Sequence, residues 1–193
     1  MTNQSIDIDG RGVQDPFPEN SVILSTGKPH VSYSELTDWA MCPFRHKLVH
    51  ILKVRPSLIS PAMAFGKAMH SGCETYLKTG SLDVMSALKL ITLDYEKNCY
   101  KPEYAKYSEA NMHQLLDVGA GILLDVPEYL NSTFPEWKFV AAEHYIYEPL
   151  TNHPGNYFKG FIDAVIEVPT PKKGPVTWII DFKTCQWGWT KCG

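Results

Sequence analysis

No stretch of this chain approaches the roughly 18 consecutive apolar residues that a membrane-spanning helix needs, so no transmembrane segment is expected. Met1 to Pro18 is polar and lacks the apolar core of a signal peptide, so secretion is not expected either. Cysteine is sparse. Cys42, Cys73, Cys99, Cys185 and Cys192 make an odd number, irregularly spaced, with no C-x-x-C pair. That argues against a secreted disulfide framework and for reduced thiols in a cytoplasm. Internal repeats and low-complexity tracts are also absent. One region lacks acids altogether: from Trp39 to Cys73 there is none, while Arg45, Lys47, Lys53, Arg55 and Lys67 carry +5. Because the whole chain is −3, the remainder holds −8. Such a run is either a solvated helix face or a local anion-binding surface on an acidic protein.

What is present suits one compact domain. The 193 residues are 44% hydrophobic and 20% charged, too apolar for a disordered chain and hardly long enough for two cores. Residues 1–29, with Gly10, Gly12, Pro16, Pro18 and Gly27, read as a flexible lead-in, and 30–193 as a single domain. Ser32-Tyr33-Ser34-Glu35 has capping-box spacing and predicts a helix start. Pro43 interrupts that helix and starts another, running to about Val54. Pro61 to Leu77 follows, closed by Gly80, with Phe65, Met69, Cys73 and Tyr76 at helical spacing. Two more helices are predicted over Ser81–Asn98 and Ser108–Val126. Beyond Pro135 the period changes to that of strands: Lys138–Tyr147, Tyr157–Val168 and Val176–Phe182, joined by turns. The fold class is α+β, N-terminal helices packed on a mainly antiparallel meander.

The strands carry carboxylates in apolar company. Asp163 lies in Gly160-Phe161-Ile162-Asp163-Ala164-Val165, and Asp181 ends Trp178-Ile179-Ile180. Lys183 follows two positions on, hence on the same face as Asp181. A desolvated aspartate needs a cation or several donors to stay ionised. By themselves, Asp181 and Lys183 read first as a strand-end ion pair and Asp163 as a surface residue beside a turn, since D-x-K alone is very common. His46 and His50 are i, i+4, but lie among Arg45, Lys47 and Lys53 and are assigned to the basic surface, not to a metal pair. Trp178 is assigned to the core; Trp187 and Trp189 stay open between packing and stacking on bases.

Gly160-x-x-Asp163 and, eighteen positions after that aspartate, Asp181-Phe182-Lys183-Thr184 resemble the hairpin of the PD-(D/E)XK nuclease superfamily. Val31-Ser32-Tyr33-Ser34-Glu35-Leu36 through Trp39, then Cys42-Pro43-Phe44, resembles the N-terminal helix of its RecB-like branch, which includes CRISPR-associated RecB-type and many phage exonucleases. Gly66-Lys67-Ala68-Met69-His70 is similar to that branch's G-x-x-x-H helix, and Glu143 stands where an acidic residue is usual.

The resemblance implies a restriction-endonuclease-like core and a metal-dependent deoxyribonuclease, an exonuclease on DNA ends or single strands. It is expected in the cytoplasm, the host's if phage-encoded. Recombination or replication partners are unspecified. His70, Asp163, Asp181 and the Phe182 carbonyl would bind Mg²⁺ or Mn²⁺, the imidazole favouring Mn²⁺. Lys183 would orient the attacking water, and Glu143 would be a further or outer ligand. A lone histidine on an apolar helical face more often satisfies a core contact; Gly66, one turn earlier, lets this face approach the sheet and favours the ligand reading. Arg45, Lys47, Lys53, Arg55 and Lys67 become the DNA-binding cations.

In the family a Q-x-x-x-Y helix and a further strand follow the D-x-K motif, whereas this sequence stops ten residues after Lys183, and Gln186 is too close to serve. The core is therefore expected to lack its last helix and strand. The alternative is a catalytically inactive, nucleic-acid-binding remnant. Cys42 matches the first cysteine of an iron–sulfur set found in some relatives. No cluster is expected, because the other three positions have no counterpart.

Overall fold

The computed structural model describes residues 18–54, 60–171 and 174–185. The architecture is α+β with a mixed four-stranded sheet, in the order β1–β3–β2 with β4 also pairing β3. The chain divides into two compact units, Met1–Pro56 with Tyr145–Gly160, and Ser57–His144 with Phe161–Gly193. The long strands β2 (Lys138–Pro149) and β3 (Tyr157–Val168) contribute residues to both.

In the first unit, β1 (His30–Ser32) runs parallel to the start of β3, His30 opposite Tyr157. This strand is absent from the sequence reading, because three residues are too few to show a period of two. The sheet is consequently mixed. Before β1, Val22 N–H bonds to the Gly155 carbonyl at 2.8 Å, and Asn156 Nδ2 donates to the Val22 carbonyl at 2.7 Å. Helix α1 (Tyr33–Met41) starts as the sequence predicts, with Ser32 Oγ accepting the Glu35 N–H at 3.3 Å. The other half of the capping box is replaced, since the Glu35 side chain bonds to His46. Helix α2 (Pro43–His46) passes into a π-helical turn, Lys47–Ile51, and ends before the expected Val54.

In the second unit, α3 (Pro61–Thr79) has Ser60 as N-cap and Pro61 in its first turn, where a missing N–H costs nothing. Gly80 closes it with φ +69°. Helix α4 (Val84–Asn98) is capped by Asp83, and a 3₁₀ turn, Pro102–Tyr104, leads on to α5. Helix α5 (Glu109–Thr133) begins with a full Ser108–Asn111 capping box. It runs past Pro127, beyond the expected end at Val126. One lost N–H is outweighed by burying Leu130 against Tyr76, Leu77, Ala164 and Ile166. A second cluster joins Met69, Cys73, Leu88, Ile91 and Leu123 across the three helices. Gly72 makes that packing possible: a Cβ there would lie 2.5 Å from Leu123 Cδ2.

Strand β4 (Val176–Ile180) pairs antiparallel with β3 from Val168–Val176 to Ala164–Ile180. It stops two residues short of the predicted Phe182. Trp178 is not a core residue. It is 47% exposed, with its ring edge against Phe134. Among the described residues no helix is long and apolar enough to cross a membrane.

Candidate metal centre

The second unit brings four separated segments together: α3 through His70, β2 through Glu143, β3 through Asp163, and the chain beyond β4 through Asp181, Phe182 and Lys183. Ladder register explains part of this. Ala164–Ile180 is the last pair, so Asp163 and Asp181 stand one step beyond it on neighbouring segments.

His70 Nε2 lies 2.7 Å from the Phe182 carbonyl oxygen, and its Nδ1 lies 3.5 Å from Asp163 Oδ2. A carbonyl only accepts, so Nε2 carries the proton. A neutral ring then has its lone pair on Nδ1, towards Asp163. This is the arrangement of a ligating histidine whose other nitrogen is fixed by an outer partner. Asp163 Oδ2 in turn accepts the Phe182 N–H at 2.8 Å. Both polar atoms of the Phe182 backbone thus orient the cluster. The carbonyl that the sequence reading offers as a ligand already accepts one bond here.

Ligand atoms of His70, Glu143 and Asp163 all lie within 4.8 Å of one another. Two ligands on a shared Mg²⁺ or Mn²⁺ at ~2.1 Å stand roughly 3 Å apart, so a 3.5 Å separation fits with a small contraction. The donors, two carboxylates and an imidazole, suit a hard divalent cation with some preference for Mn²⁺. Glu143 has φ +49° in the middle of β2. That left-handed backbone costs a glutamate about 1–3 kcal/mol and breaks the alternation of the strand. The sequence places an acid at this position but carries no sign of the positive φ.

Asp181 is outside the three-residue cluster. Its Oδ1 accepts from Lys183 Nζ at 2.7 Å, both side chains being well exposed. They pair although both lie beyond the end of β4, where strand alternation no longer sets the side. Gly66 is less demanding than expected: a Cβ would meet Thr184 Oγ1 at 3.4 Å, an ordinary contact.

The basic segment is divided. Lys67 is exposed on α3 in the second unit. In the first unit Lys47 is exposed, Arg45 Nε bonds to Asp38 Oδ1 at 2.9 Å, and Lys53 Nζ donates to the Thr26 carbonyl. Arg55, Gln186, Trp187, Trp189 and Cys192 lie outside the described residues. His46 and His50 do not belong to the basic surface. Each is 8% exposed and paired with an acid, His46 with Glu35 and His50 with Asp38. The His50 hydrogen bond, with Arg45 beside it, holds the Asp38 carboxyl below its ordinary value. The missed signal was Glu35 and Asp38 at i, i+3, matching His46 and His50 at i, i+4.

A family model for the PD-(D/E)XK nuclease superfamily matches residues 30–189. A search among curated proteins found no match.

Proposed function

This chain belongs to the PD-(D/E)XK nuclease superfamily, and on that premise we propose a divalent-metal-dependent deoxyribonuclease of the RecB-like kind, an exonuclease acting on DNA ends or single strands. The observation that carries the reading is the convergence of His70, Glu143 and Asp163 beside the Asp181–Lys183 pair. When bound, Mg²⁺ or Mn²⁺ supplies Lewis acidity at a non-bridging phosphate oxygen and a water of lowered pKa. Asp163, Glu143 and His70 would hold the cation, with Asp181 as a further carboxylate. Asp163 is the anchor, because the Phe182 N–H fixes its orientation before any ion arrives. Phe182 also keeps His70 in the tautomer whose Nδ1 can ligate.

Lys183 acts on the substrate. Its ammonium, which pairs with Asp181, is a positive charge and N–H donor of the kind that orients an attacking water and faces the charge developing on phosphorus oxygens. Its solvent exposure leaves room for a phosphodiester to approach.

The test is calorimetric Mn²⁺ titration beside a nuclease assay on DNA. Asp163→Ala should lose both metal binding and cleavage. A parent chain that binds DNA but cuts none in Mn²⁺ would instead be the inactive, nucleic-acid-binding remnant.

A further inference from the structure

The outward-facing indole of Trp39 stands on a buried polar scaffold in the first unit. Glu35 Oε1 accepts from His46 Nε2 at 3.1 Å, and Asp38 Oδ2 from His50 Nε2 at 2.9 Å. The two buried imidazoles stack with centroids 5.1 Å apart and planes 22° from parallel. Trp39 meets His46 edge-on, with centroids 5.4 Å apart and planes at 90°. Asp38 Oδ1 also accepts from Arg45 Nε. Both acids of α1 are therefore engaged within the unit, Glu35 by His46 and Asp38 by His50 and Arg45.

What remains outward is aromatic and cationic, with Leu36 and Met41 also exposed on α1. Trp39 is 55% exposed and the Arg45 side chain 53%, with Lys47 exposed two residues further on. Tyr33 and Phe44 of the same helices are also exposed. A tryptophan packed only for stability would turn its ring inward. This one keeps one edge against His46 and more than half of its surface open, and a ring with fewer free rotamers loses less entropy when something stacks on it. Arg45 and Lys47 flank in sequence the His46 that this ring meets, and with no acid from Trp39 to Cys73 they give the segment a charge that a polyanion complements. Only an unpaired base offers its face to a side chain.

We propose that α1 and α2 form a binding platform for a single nucleic-acid strand, one base stacking on Trp39 and adjacent phosphates meeting Arg45 and Lys47. This rests on the reading that the substrate is a nucleic acid, but it concerns residues outside the metal cluster and needs no metal.

The experiment is fluorescence anisotropy of a labelled twelve-nucleotide oligo-dT with the full chain in EDTA. An abasic strand of equal length serves as comparison. Trp39→Leu should weaken oligo-dT binding by about fivefold or more, the lower end of one base–aromatic stack. It should leave abasic binding unchanged, and Trp39→Phe should recover part of the loss. The half-exposed position makes these variants tolerable, and matching melting curves check that. Equal affinity of Trp39→Leu and parent for oligo-dT, or equal weakening on both strands, overturns the platform and turns this face towards a protein partner. A parent that cuts duplex DNA in Mn²⁺ yet binds no single strand in EDTA defeats the platform and spares the nuclease reading. Binding as expected, with Asp163→Ala cutting as fast as the parent, does the reverse.

Discussion

His70 and Phe182 are 112 positions apart in sequence, and the imidazole Nε2–H of one donates to the carbonyl of the other at 2.7 Å. This bond ties α3 to the chain beyond β4 and sets which nitrogen faces Asp163. The neighbouring Phe182 N–H fixes the aspartate itself. One peptide segment thereby orients two proposed ligands, a role the D-x-K spacing does not reveal.

The first prediction concerns the ranking of the acids. Asp163 is oriented and clustered with His70 and Glu143, whereas Asp181 pairs with Lys183. Asp163→Ala should abolish measurable Mn²⁺ binding in a calorimeter, Asp181→Ala should weaken it, and His70→Ala should weaken it less than Asp163→Ala. Asp163→Ala binding Mn²⁺ like the parent would remove the centre altogether.

Lys183→Ala should separate metal affinity from turnover. Removing a positive charge near the cluster should leave Mn²⁺ affinity intact or slightly raised, while cleavage falls at least ~10²-fold. The check is single-turnover kinetics at saturating Mn²⁺. Unchanged turnover would mean that this hairpin is not the active site.

Glu143 offers a trade between stability and binding. Asparagine tolerates left-handed backbone better than glutamate, so Glu143→Asn should raise metal-free stability by up to about 1 kcal/mol. The same change should lower Mn²⁺ affinity by removing a carboxylate. Urea melts in EDTA and calorimetric titration read the two effects separately, and unaltered affinity would exclude Glu143 as a ligand.

Cys73 governs an alkaline effect. Burial pushes its thiol from 9.0 to about 11. Between those values the unfolded chain releases a proton that the folded chain keeps, so the stabilising contribution is complete below pH 9 and lost as pH rises through 11. Two units correspond to about 2–3 kcal/mol. The parent should therefore lose roughly that much more than Cys73→Val between pH 8 and pH 11, measured by denaturant melts. In the native protein at pH 8, a thiol reagent should label the exposed Cys42, Cys99 and Cys185 well before Cys73.

Salt dependence tests the cations. Arg45 and Lys47 are exposed, and replacing both by alanine should flatten the slope of log K against log salt by about one to two units. Lys53, which donates to the Thr26 carbonyl, should contribute less. An unchanged slope would return this segment to an ordinary solvated face.

Local chemistry determined the parts of this protein that depend on neighbouring residues. Ser32, Pro43 and Ser108 set helix starts because a cap or a missing N–H acts within one turn. The change from helical to strand period after Pro135 gave the α+β class. Asp181 and Lys183 pair, as one reading of their spacing in the sequence has it, although β4 ends at Ile180 before either of them. Tertiary structure decided what distant segments share. It joined His70 to Phe182, gave Glu143 a backbone no propensity favours, and carried α5 past Pro127 to bury Leu130. It also buried His46 and His50 against Glu35 and Asp38, because an acid eleven or twelve residues away satisfies a histidine only after two helices pack. Sequence patterns report periodicity and caps. Burial, tautomer and strain depend on contacts that exist only once the chain has closed on itself.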